Sequence, residues 1–169
     1  MTTREKSPLV GILMGSDSDL SVMEEASKIL WEFDVPNELL ISSAHRTPDE
    51  TQRYAKEAQG RGIKILIAGA GHAAHLAGVL AANTILPVIG VPIDSSALKG
   101  LDALLATVQM PGAIPVATMA IGKAGAHNAG LLAVEILALE NPDLQQKLLD
   151  YRRGLAEQVL KKNQQLQNR

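Results

Sequence analysis

The chain has 169 residues, of which 46% are hydrophobic and 20% charged, so it can bury one full core and is too apolar to be disordered. Its net charge of −2 comes from 16 basic and 18 acidic residues, a balance that argues against a nucleic-acid partner. The lack of cysteine excludes disulfides and thiolate metal sites. Since residues 1–7 are charged and have no apolar stretch, we also expect no secretion signal and a cytoplasmic location.

Strand-like and helix-like patterns alternate along the chain. Compact apolar runs predict five strands, at 9–14, 39–41, 63–68, 88–91 and 114–119. Apolar residues three or four apart predict helices at 20–33, 49–61, 73–82, 98–106 and 124–139, and a last helix from about 142. The uncharged stretch 75–93 is interrupted by Asn83, Pro87 and Pro92, so it predicts a helix and a strand rather than a membrane span.

This alternation predicts an α/β fold of the flavodoxin-like type, a three-layer α/β/α sandwich around a central parallel sheet. We expect residues 1–169 to form a single domain, with the C-terminal helix from about 142 extending from it. The helix at 124–139 is apolar on most of its circumference, a pattern typical of burial, and it predicts packing against another subunit.

Ligands of such sheets bind beyond the carboxyl ends of the strands. Three predicted strand ends carry polar or glycine-rich sequence, at residues 15–19, 42–46 and 69–75. Because the carboxyl ends of parallel strands meet at one edge of the sheet, we expect the three segments to form one site.

The segment after the second strand carries the strongest signal. Arg46 is a permanent planar cation suited to a phosphate, and His45 beside it can exchange a proton near neutral pH. Pro48 suits the first turn of a helix, where its missing N–H leaves no hydrogen bond unmade. The segment predicts an anion site with a proton carrier; the alternative is a solvent-facing turn with a helix cap.

The segment after the first strand precedes a helix whose N-terminus favours anions. Ser16 and Ser18 can donate hydroxyl hydrogen bonds to a phosphate, whereas Asp19 is better suited to accept hydrogen bonds from sugar hydroxyls. One of the polar side chains in this segment is also expected to cap the helix, which does not exclude ligand binding.

The third segment is rich in small residues, so its backbone at Ala70 and Gly71 can approach a flat ligand closely. His72 and His75 lie three residues apart, a spacing that leaves a metal site open. Since no cysteine, aspartate or glutamate accompanies them, we favour His75 as a contact to a ligand ring and predict no metal.

Together these motifs resemble the bacterial class I 5-(carboxyamino)imidazole ribonucleotide mutases of purine biosynthesis. The resemblance covers about residues 8–155. It rests on matches at 14–19, 43–48, 68–76, 90–92, 108–112 and 120–124.

The resemblance implies an isomerisation without a cofactor, on the pathway to IMP. The carboxylate on the exocyclic N5 of the substrate moves to C4 of the ring through decarboxylation and recarboxylation. His45 matches the proton-transfer residue of the family. Ser16, Ser43 and Arg46 match positions around the 5′-phosphate, and Asp19 matches the position that binds the ribose hydroxyls. The family forms homo-octamers, in which the loop 109–111 reaches the site of a neighbouring subunit.

Two positions depart from the family pattern. The family loop reads Gly-Ala-Gly-Gly-Ala-Ala-His-Leu-Pro-Gly, and this chain has His72 in place of the fourth residue and Ala77 in place of the proline. If residue 72 has a positive φ, histidine costs about 1 kcal/mol there. A side chain that points into the site would alter carbon dioxide retention or pH dependence.

Two other functions stay open on the sequence. Class II relatives carboxylate aminoimidazole ribonucleotide directly with carbon dioxide. A non-catalytic phosphosugar- or flavin-binding module could use the same fold. Against flavin, the three strand-end segments contain no aromatic residue on which its ring could stack.

Overall fold

A computed structural model of the chain describes residues 7–168, so most of the charged N-terminal segment lies outside the described residues. The chain divides into two compact units, one that ends at Ala133 and one that begins at Val134. Each unit is described by itself below.

The first unit contains a five-stranded, all-parallel sheet with the strand order β2-β1-β3-β4-β5. The strands are β1 (Val10–Met14), β2 (Asn37–Ile41), β3 (Ile65–Gly71), β4 (Val88–Ile93) and β5 (Ala117–Thr118). Every residue of β1 and β4 is buried. Continuous apolar strands of this kind belong to sheets that are covered on both faces, and the predicted flavodoxin-like fold is confirmed.

Helices cover the two faces of the sheet. They are α1 (Leu20–Glu32), α2 (Pro48–Ala58), α3 (Leu76–Ala81) and α4 (Leu101–Val108). A further helix, α5 (Lys123–Ala138), follows β5. Successive residues of β3 point to opposite faces. Ala68 belongs to a core cluster with α2 and α3, whereas a Cβ at Gly69 would lie 2.2 Å from Sδ of Met23 in α1. The sheet is therefore the middle of three layers.

The predicted start of α3 was wrong by three residues. Its small residues predict a helix from Ala73, but β3 continues to Gly71, and His72 then has φ 54°, in the left-handed region. The left-handed residue follows the end of β3, and residues 73–75 form a bend and a short loop before α3 begins at Leu76.

Two further boundaries also differ from the prediction. Gly100 has φ 84°, and α4 begins only after it, at Leu101. The strand predicted at 114–119 contracts to Ala117–Thr118. Pro115 lies in the lost part, and proline has no N–H to donate to a strand ladder.

The second unit is built from the end of α5 and the long helix α6 (Pro142–Gln167). The Asn141 side chain caps α6 by accepting the N–H groups of Asp143 and Leu144, at 3.1 and 3.2 Å. Arg152 Nη2 donates to Glu135 Oε1 at 2.6 Å and ties α6 to the last turns of α5. Within residues 7–168, no helix is long and apolar enough to cross a membrane.

Candidate active site

The connections of the chain reverse direction beside β1. The chain runs from β1 to β2 on one side and then returns to β3 on the other side. Past the ends of these strands, Gly15 N donates to Gly69 O at 3.1 Å and Ser42 N donates to Met14 O at 2.8 Å. Such a reversal leaves a crevice beyond the carboxyl ends of the strands, where ligands of doubly wound proteins bind.

A cavity of about 340 Å³ opens at this crevice. Its lining residues come from the three strand ends that the sequence singled out: Gly15, Asp19, Ser43, Ala44, His45, Arg46, Ala70, Gly71, His72, Ala73, His75 and Leu76. The structure thus brings together seven of the nine predicted site residues. The other five lining residues, Gly15, Ala44, His72, Ala73 and Leu76, were not predicted as site residues, although all five lie in or next to the three predicted segments.

Ser16 and Ser18 are the two predicted residues outside the lining. Both belong to the short turn before α1, where Ser16 Oγ accepts the N–H of Ser18 at 3.4 Å and donates to Asp17 Oδ1 at 2.9 Å. Ser18 Oγ donates to Asp19 Oδ1 at 3.4 Å. Ser16 therefore caps the 3-10 turn 17–19 rather than α1, whose first turn has no side-chain cap. A phosphate contact from either hydroxyl stays a prediction.

His45 and His75 form a hydrogen-bonded pair inside the cavity. His45 Nε2 and His75 Nδ1 are 2.8 Å apart, and the ring planes meet at 87°. One nitrogen of such a pair donates and the other accepts, so each ring fixes the tautomer and orientation of the other. His75 stands at the N-terminus of α3 and His45 in the loop before α2, so the pair spans two elements.

Arg46 lies between the ends of β1 and β2. Its Nη2 donates to Gly15 O at 3.3 Å, and its backbone N–H donates to Ser43 Oγ at 3.2 Å. Thr47 Oγ1 donates to Ser43 O at 3.0 Å and closes the loop at the start of α2. Among the described residues no carboxylate pairs with Arg46, so its charge is available to an anion.

Asp19 places a carboxylate in the wall of the cavity. Its residue is only 4% exposed. Burial raises the pKa of this carboxyl above its ordinary value, and hydrogen bonds with Ser16 and Ser18 oppose the rise in part. A buried acceptor of this kind is suited to a pair of ligand hydroxyls.

Gly71 lets two strand ends approach each other closely. A Cβ at this position would lie 1.8 Å from Ser95 Oγ, in the loop after β4. Ala70 and Gly71 both line the cavity, and their contact with a ligand ring stays a prediction. Among residues 7–168, no group of three or more potential metal ligands comes together.

The fold and the cavity define a flavodoxin-like α/β protein with a cation and a histidine pair at its switch point. The chain matches the family described as AIR carboxylase over residues 9–158, and it belongs to that family.

Two relatives carry the same name. A protein of Pyrococcus horikoshii is 54% identical over 99% of this chain and 93% of its own length. A protein of Bacillus subtilis is 57% identical over 94% of this chain and 98% of its own length. Both are named N5-carboxyaminoimidazole ribonucleotide mutase. The crystal structure of Treponema denticola PurE is similar with a TM-score of 0.83 and 28% identity, over 91% of this chain and 95% of that one.

Proposed function

We propose that this protein is an isomerase that converts 5-(carboxyamino)imidazole ribonucleotide to 4-carboxy-5-aminoimidazole ribonucleotide in de novo purine biosynthesis. The observation that carries the proposal is the His45–His75 pair, 2.8 Å apart, in the same cavity as Arg46, Ser43 and Asp19. One pocket thus offers a proton carrier, a phosphate clamp and an acceptor for sugar hydroxyls. The relatives that share more than half of this sequence bear the name of this activity.

The charges of the cavity suggest how the substrate lies. The 5′-phosphate approaches Arg46 and the Ser43 hydroxyl, because a guanidinium and a hydroxyl both donate to phosphate oxygens. The Ser16 and Ser18 hydroxyls, at the neighbouring helix start, extend this anion site. The ribose hydroxyls donate to the carboxylate of Asp19.

The ring then lies against the small-residue loop. The backbone of Ala70 and Gly71 contacts its flat face, and His75 approaches its edge. This placement brings N5 and C4 of the ring toward His45. Holding the reacting atoms in this way is a proximity effect, and it also keeps released carbon dioxide close to C4.

His45 carries the proton in both halves of the reaction. Its imidazolium donates a proton to N5 as the N–C bond to the carboxylate breaks, which releases carbon dioxide and leaves the amine. C4 of the electron-rich ring then attacks carbon dioxide, and His45 removes the C4 proton. One proton is given and one is recovered, so the residue returns to its starting state after each turnover.

We also propose that the chain acts as one mutase domain in a cytoplasmic homo-octamer. The surface formed by α4 and the turn before it supports assembly, because it exposes four apolar side chains three or four residues apart. Their exposed fractions are 62% for Leu98, 52% for Leu101, 49% for Leu105 and 46% for Val108. Exposed apolar stripes of this kind are typical of subunit contacts. The lack of cysteine agrees with a reducing compartment.

The proposal is tested by a turnover assay with variants. Purified protein receives the N5-carboxylated ribonucleotide without metal, ATP or added bicarbonate, and we expect the C4-carboxylated product. His45→Asn should reduce kcat by about 10²-fold or more and still bind the product. His127→Asn removes a histidine outside the cavity and serves as the matched control. Full activity of His45→Asn, or conversion of aminoimidazole ribonucleotide and carbon dioxide only, would overturn the proposal.

A further inference from the structure

His72 occupies a backbone conformation that favours glycine. Its φ is 54°, in the left-handed region that residues with a Cβ adopt at a cost in folding free energy. The family loop that this segment resembles has glycine at the same place. Strained residues cluster at functional sites, so the side chain of His72 is a candidate for a function there.

The side chain of His72 is held in the cavity wall. Its Nδ1 lies 3.3 Å from Ser95 Oγ, and the residue lines the same cavity as His45 and His75. Ser95 can approach this closely because Gly71 has no Cβ. The imidazole therefore has a hydrogen-bond partner and lines the cavity proposed to bind the substrate.

Two carboxyl groups from different elements lie within electrostatic range of His72. The pKa of Asp19, in the turn before α1, is raised by burial, and the positive charge of His72 opposes part of this rise. The pKa of Asp102, in α4, is lowered mainly by its hydrogen bond from Ser96, and His72 adds to that effect. The other ionisable groups that line the cavity are His45, Arg46 and His75.

We propose that His72 is a further substrate-binding residue of this site, whose protonated imidazole attracts the anionic substrate and makes its affinity depend on pH. This inference rests on the proposed function, since that substrate carries both a phosphate and a carboxylate. Histidine changes its charge between about pH 5 and 8. Affinity should be highest when the imidazole is protonated and should fall as pH rises. Glycine at this position could supply no such charge.

The test compares KM and kcat from pH 5.5 to 8.5 for the wild type, His72→Gln and His72→Lys. Both variants keep a side chain in the left-handed conformation, so they are matched for strain. The glutamine variant should have a KM about two- to fivefold above that of the wild type at low pH, and the difference should vanish at high pH. The lysine variant should keep the low KM across the range. The kcat profile should not change, because His45 is intact.

A purely structural role for His72 would shift KM or kcat without this pattern. The substrate phosphate also ionises near about pH 6, but it contributes equally to all three proteins. The difference between the three proteins in the dependence of KM on pH therefore measures the contribution of His72. A glutamine variant whose KM follows the same pH slope as the wild type would overturn the proposal.

Calorimetric binding of 4-carboxy-5-aminoimidazole ribonucleotide at pH 6 and 8 separates this proposal from the proposed function. A wild-type preference for pH 6 that His72→Gln reduces supports the role of His72 even if no protein shows turnover, in which case the mutase proposal fails alone. Turnover with identical binding slopes in both proteins overturns only the role of His72. No binding by any protein overturns both.

Discussion

At the scale of single residues, Asp19 is expected to affect folding stability and ligand binding in opposite directions. The carboxyl is buried and its pKa is raised. A raised pKa in the folded state means that this group stabilises the fold below its ordinary pKa and that the contribution is lost as pH rises through the raised value. Ionisation of the buried Asp19 carboxyl therefore costs stability. The proposed contact with the ribose hydroxyls accounts for a carboxylate at this position.

Asp19→Asn should separate these two effects. We expect its melting temperature at pH 7 to equal or exceed that of the wild type, since a neutral amide is easier to bury. Its KM should rise by about tenfold or more, because a charged acceptor for the ribose hydroxyls is lost. Thermal melts and steady-state kinetics measure the two quantities.

The exposed neighbour Asp17 supplies the control. Asp17→Asn removes the same charge from the same turn and should change KM by less than about twofold. A marked destabilisation of Asp19→Asn at pH 7, or an unchanged KM, would contradict the account of Asp19.

His72 makes a second prediction about stability. His72→Gly should be more stable than His72→Gln by about 1 kcal/mol, because relief of left-handed strain exceeds the entropy that glycine adds to the unfolded chain. Urea denaturation at pH 8 measures the difference. Equal stability would mean that the surrounding loop, rather than residue 72, sets the φ of 54°.

At the scale of elements, a polar cluster ties α2 to the edge strand β2. Tyr54 Oη donates to Glu38 Oε1 at 2.7 Å, and Arg61 Nη2 lies 2.7 Å from both oxygens of the same carboxylate. Gly11 makes room for the tyrosine, since a Cβ there would lie 2.2 Å from its hydroxyl. The loop that carries His45 leads directly into α2. By holding α2 against β2, this cluster helps to position that loop.

Removing the tyrosine hydroxyl tests the cluster. Tyr54→Phe should lose about 1 kcal/mol of stability at pH 7, because a hydrogen bond to a charged, part-buried acceptor is lost. Glu50→Gln breaks an exposed pair with Arg53 on the same helix and should change stability by less than about 0.5 kcal/mol. Equal losses of stability in the two variants would show that the Tyr54 hydrogen bond contributes no more than an exposed ion pair.

The contribution of the Tyr54 hydroxyl to stability should depend on pH in the alkaline range. Burial, together with the nearby Glu38, raises the pKa of Tyr54 well above its ordinary value of 10.0. Its contribution is therefore present below pH 10 and is lost as pH rises further. The stability difference between the wild type and Tyr54→Phe should shrink above about pH 10. A difference that stays constant to pH 11 would contradict this assignment.

Much of the architecture could be predicted because apolar runs and helical spacing are local signals. The boundary between β3 and α3 could not, since the small residues of this segment suit a strand, a loop or a helix, and the positive φ of His72 after β3 has no signal in the sequence. The convergence of three strand ends follows from parallel topology. The contact between His45 and His75 does not, because it depends on the orientation of two side chains thirty residues apart. Ser16 and Ser18 do not line the cavity, and their hydroxyls donate to the neighbouring carboxylates of Asp17 and Asp19.

At the scale of the whole molecule, assembly and activity should be linked. The double change of Leu101 and Leu105 to Asp places charge on the apolar stripe of α4, so the particle mass in solution should fall and turnover should fall with it. Leu105→Met keeps the stripe apolar and should retain both. Sedimentation and kinetics on the same samples provide the measurement. An unchanged mass in the double variant would contradict the proposed use of this surface.

In the proposed reaction, one active site moves a single carboxyl group from N5 to C4. The most direct test is a single turnover of the ribonucleotide labelled with ¹³C in its N5-carboxylate, in buffer that contains unlabelled bicarbonate and carbonic anhydrase. We predict that the product carries the label at the C4 carboxylate in most turnovers, because the cavity holds carbon dioxide until C4 captures it. Product that contains mainly unlabelled carbon would contradict the account and assign the protein to direct carboxylation with free carbon dioxide.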